Sequence, residues 1–256
     1  MKFSTSINFL FSEHPFLERF AAAKDAGFEG VEIQLLESPA EEAAQAAKSA
    51  GIEVALLNAP MGDFLSNGPG LSGVPNREAE FTTAIREAIA AADAMGAKHV
   101  HVGPSRIPEG EECGKCLASL ISNLEIAVGF ADEAGVTLLL EPMNRQDTPT
   151  ALVNSVAGAA EILRKYFGRK IGLQFDLYHV AQNGDDPVAL FHQHKDIISH
   201  IQFSDSPGRG APGMGKIDFD AAFSAINESG YDGWVGAEYF PGGPTRETLG
   251  WLSRYG

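Results

Sequence analysis

One pattern recurs often enough along this chain to dictate its architecture: an alanine-rich helical stretch, a small residue followed by glycine, then a short apolar run. It occurs at Ala26-Gly27-Phe28, Ala50-Gly51-Ile52, Met95-Gly96-Ala97, Ala134-Gly135-Val136 and Ser229-Gly230-Tyr231. A glycine suits the left-handed position that closes a helix, so each marks a helix handing over to a strand. Reading the apolar runs as strands gives eight, near 3–7, 31–35, 53–57, 99–102, 137–141, 171–176, 198–203 and 234–238. Helical segments fill the intervals, at about 15–26, 39–50, 77–95, 112–134, 155–167, 187–195, 219–229 and 245–252. Strict alternation implies a parallel sheet with right-handed crossovers, and eight units is the number at which such a sheet closes on itself. The expected fold is therefore α/β, a single (β/α)8 TIM barrel spanning residues 1–256, and the length of 256 residues matches the roughly 250 that such barrels typically take. An open doubly wound sheet is the alternative. Against it, no Gly-x-Gly-x-x-Gly turn follows the first strand and no break in composition divides the chain.

Charge then narrows the partners. The chain carries 34 acidic against 19 basic residues, a formal net charge of −15, and a surface of that sign repels phosphodiester backbones. Nucleic acid is excluded as a partner on that ground. No stretch is read as approaching the roughly 20 apolar residues that span a bilayer, and the first residues lack a signal-type apolar core; a cytoplasmic protein is expected, with no membrane partner and with a homo-oligomer left open. The two cysteines, Cys113 and Cys116, have redox or zinc-knuckle spacing, but no second Cys or His pair accompanies them and acidic neighbours surround them, so they are read as ordinary thiols near a helix start. The Pro- and Gly-rich connection 59–76 after the third strand is long enough to be either a lid over a small substrate or an incidental excursion.

Residues ending barrel strands face the mouth where barrel enzymes carry their sites. Four ends are informative: Leu140-Glu141, Gln174-Phe175-Asp176, His200-Ile201-Gln202 and Gly236-Ala237-Glu238. The period of two puts Gln174 with Asp176, His200 with Gln202, and Trp234, Gly236 and Glu238 on shared faces, so Glu141, Asp176, Gln202 and Glu238 can all point inward. Three carboxylates in one mouth repel unless a cation neutralises them, which argues for a bound metal. Oxygen donors without His or Cys select a hard divalent ion, Mg2+ or Mn2+.

These stretches also carry a family likeness. Leu140-Glu141-Pro142-Met143-Asn144, Gln174-Phe175-Asp176-Leu177-Tyr178-His179, His200-Ile201-Gln202 with Asp205, Arg209-Gly210-Ala211-Pro212-Gly213-Met214-Gly215 and Gly233-Trp234-Val235-Gly236-Ala237-Glu238-Tyr239 together resemble the hydroxypyruvate isomerase family, a group of xylose-isomerase-like barrels that includes 2-oxo-tetronate isomerases. The likeness runs along essentially the whole chain. It implies Glu141 and Glu238 as an acid/base pair that also ligates the metal, with Asp176 and Gln202 completing the cation site; members of the wider superfamily often have His where Gln202 stands.

The implied activity is a metal-dependent intramolecular oxidoreduction of a small hydroxy-oxo acid, interconverting hydroxypyruvate and tartronate semialdehyde through an enediolate. A 2-oxo-tetronate isomerase or a related ketose/aldose isomerase or epimerase is the alternative. An endonuclease IV-like phosphodiesterase is opposed by the charge and by the oxygen-rich donor set, and a non-catalytic sugar-acid binder by the retained pair of glutamates. Two residues are assigned to the substrate from their placement: His179, just past a strand end, as a hydrogen-bond donor, and Arg209, in a Gly/Pro-rich loop, as the planar fork for a carboxylate. Glu32 and His101 lie within strands and face the interior as packing or chemistry. Asp147 is read as ordering Arg145 or a substrate hydroxyl. His192 and His194, two apart on a helix, are not expected to share a ligand.

Overall fold

The computed structural model describes residues 1–256 and closes the eight strands into a parallel barrel in sequence order. The strands are β1 (Lys2–Ser6), β2 (Gly30–Ile33), β3 (Glu53–Asn58), β4 (His99–His101), β5 (Thr137–Leu140), β6 (Ile171–Asp176), β7 (Ile198–Phe203) and β8 (Trp234–Ala237). Around them run the helices α1 (Arg19–Asp25), α2 (Ala40–Ala50), α3 (Glu78–Met95), α4 (Cys113–Ala134), α5 (Val156–Ile162), α6 (Leu177–Gln182), α7 (Pro187–His194), α8 (Phe219–Glu228) and α9 (Leu252–Tyr255). The glycine punctuation works as expected: Gly51, Gly96 and Gly135 cap α2, α3 and α4 at φ of 64°, 71° and 65°, angles a side chain with Cβ adopts only at a cost.

Three local differences from the sequence reading have physical causes. The short helix α6 was not expected; it starts directly on Asp176, whose side chain accepts from the Tyr178 amide as a cap, so the strand end and the helix start are one residue. The segment after α5 widens into a π-helical turn, Leu163–Phe167. Finally, α4 is 22 residues long, long and apolar enough by length and composition to cross a membrane, which corrects the expectation that no stretch approaches this. Its buried stripe of Cys116, Leu120, Leu124, Ala127, Val128 and Ala131 follows helical period and lies against the barrel beside α3 and β5.

The long connection 59–76 is held down at several points. Asp63 accepts from the Gly70 amide and from Arg77, while Arg106 donates to the carbonyls of Phe64 and Gly68 and stacks over the Phe64 ring. Ser72 donates to the Gly103 carbonyl, and its own carbonyl accepts from Asn123 of α4. The segment is a fixed wall beside the β4–α4 loop. Cys113 is exposed and Cys116 buried at the start of α4, both as free thiols.

Outside the barrel wall a single hydrophobic cluster of 59 buried residues joins strands to helices, the mark of one domain rather than two. Its aromatic knot seals the seam between the last strands and the first: Phe203 of β7 stacks edge-on against Phe3, Phe223 and Trp251 with ring centroids 6.2, 5.2 and 5.0 Å apart. Phe203 is fully buried, so Phe203→Ala removes a packed ring and leaves a cavity. The expected loss is about 3–5 kcal/mol of unfolding free energy, read by urea denaturation; a loss below about 1 kcal/mol would show that the seam is not closed by this knot.

Candidate active site

The site is assembled from the C-terminal ends of four strands and the loops that follow them. Glu141 stands just after β5, Asp176 ends β6, His179 lies one turn into α6, Arg209 sits in the loop after β7 and Glu238 just after β8. All three acids are buried, at 7, 2 and 6% exposure for Glu141, Asp176 and Glu238. His179 Nε2 lies 3.7 Å from Asp176 Oδ2 and 4.0 Å from Glu141 Oε1, and Arg209 Nη2 bonds to Glu238 while standing 3.8 Å from Asp176 Oδ2. His101 of β4 approaches Glu141 Oε2 at 3.7 Å.

This concentration of charge shifts every member. Burial, then repulsion from Glu238 and Asp176, pushes Glu141 well above the usual carboxylate range. Burial raises Asp176 to about 6 and Glu238 to about 7 even though Arg209 opposes both shifts. Arg209 is itself desolvated, but the three acids outweigh that and hold its charge more firmly than usual. Burial drives His101 down to about 3 and His179 well below its usual value, so both rings are neutral near pH 7.

Ligand atoms of Glu141, Asp176 and His179 lie within 4.8 Å of one another, close enough to surround one ion. The donor set fits a hard divalent cation: Glu141 Oε1 and Asp176 Oδ2 are buried with no hydrogen-bond partner, and orphaned carboxylate oxygens at that depth call for a positive charge. His179 is differently disposed. Its Nδ1 faces two N–H donors, the Asn144 backbone amide at 3.2 Å and the Asn144 side-chain amide at 2.7 Å. The orientation of that side chain is set, because its oxygen accepts from the amides of Gln146 and Asp147. A neutral ring that accepts at Nδ1 carries its proton on Nε2, which makes Nε2 a donor toward the mouth rather than a metal ligand.

Gln202 is the one sequence candidate whose side chain is engaged below the cluster. It is the register partner of Asp176, yet its Nε2 donates to Glu32 Oε2 at 2.7 Å and its Oε1 accepts from Gln174 Nε2 at 2.6 Å, leaving one lone pair on that oxygen. Asp147 does not reach Arg145, which turns to Asn154; it accepts from Asn144 and from the Tyr178 hydroxyl instead. His194 is buried near Arg164, outside the mouth. Sequence reasoning passed over Asn144 as a functional residue; the available signal was its place three residues after Glu141 within the same motif.

The loop carrying Arg209 is wound around one buried anion. Asp205 accepts from the amides of Ser206, Gly213, Gly215 and Ile217, which gathers 206–217 into a fixed turn. Arg209 adopts φ of 53°, and its guanidinium lies over the rings of Phe9 and Tyr178 at 5.2 and 5.1 Å. Its Nε is buried without a partner, so the fork retains donors for a further acceptor.

The description of a xylose isomerase-like TIM barrel matches residues 20–255. The chain is 35% identical to a 2-oxo-tetronate isomerase of Cupriavidus necator, over 99% of this chain and 98% of that protein. It is 33% identical to a hydroxypyruvate isomerase of Escherichia coli, over 100% of this chain and 99% of that protein. A crystal structure described as an AP endonuclease, family 2, from Brucella melitensis superposes with a TM-score of 0.94 at 31% identity, covering 100% of this chain and 99% of that one.

Raised carboxylate pKa values set the sign of one test. Asp176 and Glu238 hold protons below about 6 and 7 and must lose them to ligate, so cation affinity rises as pH increases from 5 to 8 and then levels. Calorimetric titration of Mn2+ into chelator-treated protein, in buffers of different ionisation heat, is expected to show more protons released per ion near pH 5.5 than at pH 8. Affinity independent of pH across this range would rule the acids out as ligands.

Proposed function

The chain belongs to the xylose isomerase-like TIM-barrel family and is an isomerase-type enzyme of it, and on that premise we propose that it interconverts hydroxypyruvate and tartronate semialdehyde. The observation that carries this reading is the pairing of two buried glutamates, Glu141 and Glu238, with Asp176 and the guanidinium of Arg209 in one mouth. A binding site for a small acid needs the arginine; it has no use for two further carboxylates lifted toward neutral pKa, whereas proton transfer does.

In this reading Glu141, Asp176, Gln202 and Glu238 hold a divalent ion, Mg2+ or Mn2+. When bound, the ion supplies Lewis-acid stabilisation of negative charge on the substrate oxygens. The protein's own groups do the rest. Arg209 anchors the substrate carboxylate with the donors that Glu238 leaves free. One glutamate takes the proton from C3 of hydroxypyruvate, giving the enediolate, and a proton is returned to C2. The hydroxyl proton passes from O3 to O2, so a ketone becomes an aldehyde with no net change in atoms or electrons. The Nε2–H of His179, fixed by Asn144, points at the mouth and donates to a substrate oxygen as charge develops there.

A longer substrate is the second reading, favoured by the 35% identity to the Cupriavidus necator 2-oxo-tetronate isomerase. The same proton transfer serves a 2-oxo-tetronate, and the space beyond the reacting carbons decides between the two acids. An endonuclease reading draws on the description of the Brucella melitensis structure and is opposed by the net charge of −15.

Turnover of hydroxypyruvate and of 2-oxo-tetronate, with Mg2+ or Mn2+ added to chelator-treated protein, is the direct test, and inactivity on both removes the proposal. Glu238→Gln is expected to lower kcat by at least about 100-fold with an unchanged circular dichroism spectrum. Arg209→Lys keeps the charge and loses the planar fork, so KM for the acid is expected to rise about tenfold; an unchanged KM would detach Arg209 from the carboxylate.

A further inference from the structure

Below the mouth, inside the barrel, lies a further buried carboxylate that the proton-transfer chemistry does not use. Glu32 of β2 is completely buried. Its Oε1 accepts from Ser4 Oγ at 2.6 Å and lies 2.9 Å from His200 Nε2, and its Oε2 accepts from Gln202 Nε2 at 2.7 Å. From these contacts we infer that Glu32 is the positioning residue that presents the amide oxygen of Gln202 to the cation; the inference rests on the reading of Gln202 as a ligand.

The argument is one of hydrogen-bond polarity. The groups that face Glu32 show it their donors, Ser4 its hydroxyl and Gln202 its NH2, while His200 Nε2 stands 2.9 Å from the oxygen that Ser4 meets. The amide has two ends, and with its nitrogen committed downward its oxygen is committed the other way. Gln174 completes the order by donating from its own Nε2 to Gln202 Oε1 at 2.6 Å. That leaves the second lone pair of an oxygen that neighbours Asp176 in the register of β6 and β7. Without Glu32 beneath it, Gln202 is held only by Gln174, whose own amide can turn with it, and the turned pair sets an NH2 group against the cation.

The barrel makes room for this anion at a specific place. Gly236 of β8 is the register partner of both Ser4 and Gln202, and a Cβ built on it would stand 1.7 Å from Glu32 Oε1. No side chain other than hydrogen fits there while Glu32 keeps its place. A glycine on β8 and three donors on β1 and β7 all converge on one carboxylate from β2, and the group that carboxylate steers lies beside the candidate ligands.

The test compares Mn2+ affinity, measured calorimetrically at pH 8 on chelator-treated protein, in Glu32→Gln, Gln202→Leu and the double variant. Positioning of a ligand from behind changes metal affinity by roughly 10–100-fold, so Glu32→Gln is expected to raise Kd by at least about tenfold, and the double variant to bind no worse than Gln202→Leu alone. A role in packing only would lower Tm and leave Kd where it was, and that result overturns the inference. If Gln202→Leu itself binds Mn2+ as the unaltered protein does, the reading of Gln202 as a ligand fails instead. Should Glu32→Gln not fold, Glu32→Asp keeps the charge and withdraws it by one methylene. A Kd at least threefold weaker is then expected, by about that factor, and an unchanged Kd overturns the inference equally.

Discussion

Everything at the mouth of this barrel follows from burying three carboxylates where water cannot screen them. Loss of hydration raises all three, Asp176 to about 6, Glu238 to about 7 and Glu141 well above the usual carboxylate range, with repulsion from Glu238 and Asp176 adding to the shift at Glu141. Arg209 relieves part of the repulsion but leaves Glu141 Oε1 and Asp176 Oδ2 without partners. Orphaned carboxylate oxygens at that depth fit a cation, and the ligand atoms of Glu141, Asp176 and His179 lie close enough together to hold one.

Holding such a site open requires support that is itself polar. Asp205 winds the Arg209 loop around four backbone amides, Asn144 holds the His179 ring from behind, and Glu32 collects Ser4, His200 and Gln202 at the barrel floor. Each is a buried acceptor or donor whose partners are nearly all satisfied, so each gives up little stability and removes one freedom from a side chain at the mouth. The aromatic seam around Phe203 and Trp251 supplies apolar burial on the outside of the wall, which lets the inside be spent on polar residues.

Some of this was readable before any coordinates. Strand ends mark the mouth of a closed barrel, so Glu141, Asp176 and Glu238 were expected to face one another; the structure gathers Glu141 and Asp176 with His179, and Glu238 meets this group through Arg209. The direction of the Gln202 side chain was not readable, because period two assigns a face and says nothing of which end of an amide is committed downward. Asp147 was read as ordering Arg145 or a substrate hydroxyl; its carboxylate accepts from Asn144 and from Tyr178, which the unexpected helix α6 brings in.

The linear order of residues determined, by itself, the number of strands, their alternation with helices, and the residues that end each strand, because those depend on local period and on glycine stops. Tertiary structure alone decided which hydrogen-bond donors meet which acceptors. Glu32 and Gln202 are 170 residues apart, and Gly236 admits the Glu32 carboxylate across the closing seam of the barrel. Such meetings arise only when the eighth strand pairs with the first, since the polarity of a buried network is a property of groups in contact and not of any stretch of chain.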